Sequence, residues 1–367
     1  MPTVNEQLRD AEVGHQVDLQ LYANGVVRRL IALLNRVDAD LFAQLQAALE
    51  RLDDGRFSVE RLDALLESVR ALNAQAYQVL HTELQGDLRA LAEYEAGYQF
   101  ELFRDVLPVQ ISVARVSADQ VYAAAFSQPF RGRLLREWAA GIEQNRMVRI
   151  RDAVRMGVVE NQTNAQIVQR IRGTRALKYT DGLIEIDRRD ANSVVRTAVQ
   201  HVAAHARETF YAANEDLVKA VVWSATLDSR TSELCRIRDG LQYTQKTHKP
   251  IGHKIPWLGG PGRLHWCCRS SSTPVVKSWQ ELGLDLGEAP AGTRASMDGQ
   301  VPAETTYAEW LKRQSGARQD QILGPERGKL LRQGGLTLDK FYNEKGRYLT
   351  LEQLRERDAA AFRRAGL

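Results

Sequence analysis

Cys235, His265, Cys267 and Cys268 gather the chain's three thiols and one imidazole into thirty-four positions. Thiolate sulfur and imidazole nitrogen are the donors of closed, four-coordinate zinc sites. The His265-x-x-Cys268 spacing suits one ion, with Cys235 arriving from a preceding turn. That set has three donors, and Asp228, Cys267 or a water would have to be the fourth. The plainer expectation is preferred: Cys235 and Cys268 are small buried side chains and His265 makes one hydrogen bond. On it the chain needs no cofactor, zinc being the lesser alternative. Thiol catalysis would need a base aimed at the sulfur and a third orienting group. Here only the residue types are present.

Other pairs carry weaker signals. Asp228 and Arg230 share one turn, where an aspartate accepts backbone N–H bonds and an arginine holds a carboxylate or carbonyls. His201 and His205 have the i, i+4 spacing of a metal pair but lack the glutamate of His-Glu-x-x-His, and are expected on a helix surface. Gly259-Gly260-Pro261-Gly262 has no Gly-Lys-Ser/Thr after it and is not a phosphate loop. Arg146, Arg149, Arg151 and Arg155 recur at helical spacing and are candidates to track DNA phosphates without reading bases. Aromatic residues do not interleave with them, which argues against stacking on single strands.

Helices must position most of this. Leu30, Leu33, Leu34, Val37, Leu41, Leu45 and Leu52 form a stripe within a helix expected from Val17 to Leu52. Asp53-Asp54-Gly55 breaks it, and Ser58 opens a second helix to about Phe103 with Leu62, Leu65, Leu66, Val69, Leu72 and Leu80 as its stripe. Two such stripes with a short connection fit an antiparallel pair. After Pro108, shorter helices are expected from Ser117, over 133–158 and over 164–172. A longer one over 189–213 buries Val194, Val195, Ala198, Val202 and Ala203. The pattern changes at Lys219: 220–226, 241–244 and 272–276 read as strands around a loop rich in glycine, proline, lysine and histidine.

The predicted class is a mainly α N-terminal region of long helices, then a small α+β domain and a short helical C-terminal tail. The divisions are 1–128 for docking, 129–218 for helices, 219–280 for the α+β module, 281–305 for a glycine-, alanine- and proline-rich linker, and 306–367 for the tail. In the tail Thr350, with Gln353, forms a capping box for a helix over 351–364.

Length and composition exclude broad classes. The 367 residues are 44% hydrophobic and 26% charged, the mix of a folded chain. No run approaches the ~20 apolar residues of a membrane span, and the start lacks the plan of a signal peptide. Three cysteines suit a reducing compartment. The net charge of +4 is unevenly spread: −8 over 1–128 (11 basic, 19 acidic), +7 over 129–178 (11 against 4) and +5 over 223–270 (8 against 3). Such segregation points to a polyanion or an acidic protein surface as partner.

Taken together, Trp223, Asp228, Arg230, Thr231, Cys235, Asp239, Gly240, His265, Cys268 and Arg269 resemble the C-terminal domain of the phage Mu F-like minor head proteins, also called head morphogenesis proteins. That family shows a Trp strand, Asp-x-Arg-Thr, a Cys or His, an Asp-Gly turn, and Pro-x-His-x-x-Cys-Arg-Cys. The helix around Ala191–Ala198 is similar too, so the resemblance spans roughly 129–276. A weaker one reaches Leu323-Gly324 and Leu349-Thr350-Leu351. Ser232 and Ser270 stand where many members have cysteine, and Trp266 where a proline often follows the histidine.

The resemblance implies a non-enzymatic, structural protein of a tailed-phage or prophage head. It implies few copies in the virion, in the head interior or at the portal vertex, after assembly in the host cytoplasm. Its partners would be the portal protein and other head proteins, with packaged double-stranded DNA for the basic blocks and no membrane. Two other readings are a metal- or thiol-dependent hydrolase or toxin-type enzyme on the same module, and a plain DNA-binding protein argued from charge alone.

Overall fold

Two long helices carry the leucine stripes: α1, Val4–Asp53, and α2, Glu67–Val106. α1 begins well before Val17, because Leu8 and Leu19 are buried on the same face as the later leucines. The computed structural model describes residues 3–53, 62–64, 66–107, 111–278, 280–282 and 293–367. The expected turn at 54–55, the Ser58 cap, Leu65, Pro108 and the side chain of Leu52 lie outside the described residues. The other helices before the sheet are α3, Ala118–Ser127; α4, Leu135–Val159; α5, Asn164–Arg172; and α6, Ile184–Ala213. Capping residues set two of the starts. Ser117 Oγ accepts from Gln120 N at 3.2 Å, and Thr163 with Gln166 makes a capping box for α5.

The chain divides into two units, neither contiguous in sequence: Met1–Gln20, Ala92–Val121 and Gln200–Leu367 form one, Leu21–Leu91 and Tyr122–Val199 the other. In the second unit α1 and α2 run antiparallel, with Tyr22 and Arg29 both reaching Asp87. Its core packs Leu41, Leu45 and Leu49 with Leu62, Leu66 and Val69, and with Met147, Ile150 and Val154 of α4.

In the first unit the same two helices pair His15 with Glu95 at 2.6 Å and Glu12 with Gln99 at 2.7 Å, and Arg207 of α6 approaches Glu12 at 3.4 Å. All five are buried. Burial pushes the Glu12 carboxyl up, and the Arg207 charge opposes that rise.

The first unit also holds the sheet, ordered β3-β2-β1-β4 and antiparallel throughout. Its strands are β1, Val218–Ser224; β2, Gln242–Thr244; β3, Pro250–Ile251; and β4, Ser271–Val276. A four-residue helix, α7, Glu233–Arg236, lies between β1 and β2. β3 was not expected: two residues give no alternation to read.

The stretch expected to be a linker differs from that expectation over its described part. Residues 293–302 form a hairpin of β5, Thr293–Ser296, and β6, Gly299–Pro302. The tail helices follow: α8, Tyr307–Lys312; α9, Gly316–Leu323; α10, Pro325–Arg332; a 3₁₀ turn, Leu338–Phe341; α11, Leu351–Arg357; and α12, Ala359–Ala365. The last expected helix is two. Asp358 leaves the helical region (φ −148°, ψ 75°) and caps α12 by accepting from Ala361 N. Trp310, Leu311, Leu330, Phe341 and Leu354 close a core around these short helices that includes Leu227.

Candidate metal cluster and motif site

β1 is the frame of the site. Trp223 is fully buried in it, with Trp257 edge-on at 5.3 Å and the Arg238 guanidinium 5.7 Å from its ring. Arg238 is itself buried and donates to Leu234 O and Pro256 O. Gly260 makes room for Trp257: its φ is +81°, and a Cβ there would stand 2.6 Å from the indole Nε1.

Beyond β1 the chain turns at Asp228. Both carboxylate oxygens are held by Arg269, with Nη2 to Oδ1 at 2.8 Å, and Oδ1 also accepts from Arg230 N and Thr231 Oγ1. Burial alone would raise this carboxyl, but those hydrogen bonds and the Arg269 charge hold it below its ordinary value. Thr231 Oγ1 donates to Thr226 O at 2.5 Å and closes the loop. The Arg230 side chain is exposed, so only its backbone serves the turn. Thus Asp228 pairs with Arg269 at the far end of the motif and not with Arg230 beside it.

Asp239 does more than make a turn. Buried at 7% exposure, it accepts from Ala225 N at 2.7 Å, from Tyr307 N at 2.7 Å, and from both terminal nitrogens of Arg294 at 3.1 and 3.2 Å. Arg294 is fully buried and also donates to Ala225 O and Thr305 O. Sequence reading missed this residue, because its surroundings have the composition of a linker.

The two cysteines and the histidine come together. Cys235 Sγ lies 3.7 Å from Cys268 Sγ and 3.3 Å from His265 Nε2, and all three donor atoms fall within 4.8 Å of one another. Both cysteines are buried, as expected. His265 Nδ1 faces Trp266 O at 3.0 Å, and a proton there leaves the Nε2 lone pair turned to the sulfurs and to Ser232 Oγ at 2.8 Å. That is the ligating tautomer, oriented by a backbone carbonyl. Two sulfurs bound to one tetrahedral zinc at ~2.3 Å stand about 3.8 Å apart, so the donors fit such an ion. Ser232 thus reaches the cluster, at a position where many members of the family that the motif resembles have cysteine. The hydrogen bond from Cys235 draws the Cys268 thiol down, and the same bond pushes Cys235, its donor, up. Cys267, half-buried with φ +54°, does not join the cluster.

His201 and His205 are not surface residues. They are 4% and 7% exposed, with ring centroids 4.4 Å apart. Arg263 Nη1 donates to His205 Nε2 at 3.0 Å and also pairs with Glu208. Burial, then the charge of Arg263, pushes the His205 imidazole down to about 2.

The four candidate DNA-contact arginines on α4 separate. Arg146 is 1% exposed and bound to Asp38, so it cannot meet a phosphate: its i, i+3 position faces the core and not solvent. Arg149 pairs with buried Asp187, whose carboxyl burial still drives up to about 6. Arg151 is half-buried beside Asp152, and Arg155 is exposed.

Residues 148–273 match the model of the family described as phage Mu protein F like protein. No curated protein and no solved structure matches the chain. The match takes in α4 from Val148, the sheet as far as Thr273 and every motif residue from Trp223 to Arg269. Residues 1–147 and 274–367 lie outside it. Over residues 148–273 the chain is therefore similar to the phage Mu protein F like family.

Proposed function

We propose that the chain is a minor structural protein of a tailed-phage or prophage head, acting in head morphogenesis near the portal. The family match over 148–273 carries this reading. The use of the motif side chains supports it. Asp228 and Asp239 are spent on arginines and backbone N–H groups, and among the described residues no acid, base and nucleophile converge on a cleft as hydrolysis would require. The long acidic helices are the docking surface for the portal and other head proteins. The exposed cations of 129–178 face packaged double-stranded DNA, with Arg151 and Arg155 as contacts and Arg149 beside them. Among the described residues no helix is long and apolar enough to cross a membrane.

Quantitative proteomics of purified procapsids and mature heads tests this. The chain is expected in both at far below major-capsid abundance, and its absence from both overturns the proposal. For DNA, retention on duplex should be sequence-independent and salt-steep. An Arg151→Gln, Arg155→Gln variant should flatten the log–log salt slope by about two units, since each phosphate contact contributes about −0.9. An unchanged slope assigns those arginines to a protein surface.

A further inference from the structure

Within the second unit, a cavity of about 510 Å³ opens between α1, the start of α6 and the loop 173–183. Pockets of about 300–1,000 Å³ are those that hold small organic ligands. Three cations line this one, Arg172, Lys178 and Arg188, against a single carboxylate, Asp38. Asp38 is already satisfied: Arg146 binds one oxygen and Arg188 Nη2 the other at 2.8 Å. Arg172 and Lys178 have no carboxylate partner among the described residues. Arg172 instead lies 4.9 Å from the Tyr179 ring centroid and 5.5 Å from that of Phe42, and both rings line the cavity. Arg188 Nε is buried without a hydrogen-bond partner.

The loop that brings these groups in is held in an uncommon shape. Lys178 and Tyr179 are consecutive non-glycine residues in the left-handed region, at φ +51° and +63°. Such conformations concentrate at ligand clamps and switch regions. The base of the loop is pinned by Asp181 Oδ1, which accepts from Thr174 N at 2.8 Å. It is pinned also by a close backbone approach: a Cβ on Gly182 would stand 2.3 Å from Arg172 O. A fixed loop that presents uncompensated positive charge beside two aromatic rings matches an anion carrying a flat ring system. Phe42 reaches the basic block from 130 positions upstream, which is why the aromatics did not interleave with the arginines in sequence.

We infer that this cavity binds a nucleoside phosphate, its phosphate toward Arg172 and Lys178 and its base against Tyr179 and Phe42. The nucleotide comes either free or as an unpaired unit of a DNA strand, and the site is independent of the role in phage heads. Isothermal titration of the full chain at low salt, with dAMP, inorganic phosphate, a single-stranded tetranucleotide and a blunt duplex, tests it. dAMP should bind more tightly than phosphate. An Arg172→Gln, Lys178→Gln variant that keeps the parent's melting temperature should bind about tenfold or more weakly. Tyr179→Leu should bring dAMP and phosphate to equal affinity. Displacement of dAMP by the tetranucleotide makes the strand the source, and its failure makes the free nucleotide the source. No binding of dAMP by the folded parent, or equal binding by the double variant, overturns the inference.

Discussion

At the scale of single residues, one buried imidazole makes stability depend on pH. His205 accepts from Arg263 through Nε2 and is held neutral down to about pH 2. An unfolded histidine takes its proton near pH 6.5. Between those values the unfolded state binds a proton that the folded state refuses, so stability falls as pH drops below 6.5, by up to about 1.4 kcal/mol per pH unit. His205→Gln keeps an acceptor for Arg263 but cannot titrate. Urea unfolding at pH 7, 6 and 5 should show a shallower loss for the variant, and parallel losses would assign the acid sensitivity elsewhere. The Cys235, His265 and Cys268 cluster gives a second residue-scale prediction. Cys235, His265 and Cys268 close on one another through hydrogen bonds, so the chelator-treated chain should keep its circular dichroism. One zinc per chain should then raise the melting temperature, with about 2.7 kcal/mol gained at a hundredfold excess over Kd. Cys268→Ala and His265→Ala should abolish the rise. Absence of any zinc effect on the parent would leave the three donors as a hydrogen-bonded cluster only.

At the scale of elements, Asp239 joins β1, the β5–β6 hairpin and the start of α8 through Ala225 N, Arg294 and Tyr307 N. Asp239→Ala leaves the fully buried Arg294 uncompensated and should cost about 3–5 kcal/mol. Replacing both, as Asp239→Ala with Arg294→Met, removes the stranded charge and should restore part of that loss, though the two backbone N–H groups stay unpaired. Chemical denaturation of the three proteins reads this directly, and a double variant no better than the single would place the cost in the backbone N–H groups alone. The hub also marks where sequence reading stops. Long periodic stripes such as Leu34, Leu41 and Leu45 announce themselves, and caps such as Thr350 with Gln353 fix helix starts to within a residue. The Trp223-to-Arg269 motif was legible as a family pattern, but its pairing was not. Asp228 looks local to Arg230 and bonds Arg269, forty-one positions on. Arg294 was hidden because glycine, alanine and proline around it have the composition of a linker. Arg146 and the two histidines of α6 were misplaced for a related reason: on a helix with several polar faces, a charge gives no sign of which carboxylate waits across the core.

At the scale of the whole molecule, α1, α2 and α6 each contribute residues to both units, yet among the described residues the apolar cluster of the tail helices and the cluster around Leu41 and Ile150 share no residue. Leu330 is fully buried among the tail helices, and Ile150 is 1% exposed among α1, α4 and the helical residues around Leu62. Truncating either to alanine should cost about 2–5 kcal/mol through lost burial and a residual cavity. With no shared neighbours, the two losses should add to within about 0.5 kcal/mol. Amide exchange locates each loss. Ile150→Ala should lower protection over 41–53 and 147–172, and Leu330→Ala over 307–365, each leaving the other core at the parent's level. That pattern requires sub-global opening, in which one core unfolds while the other stays closed. If either substitution lowers protection evenly along the chain, the two cores open together. The continuous helices would then transmit the loss, and the chain would unfold as one cooperative body despite its separate cores.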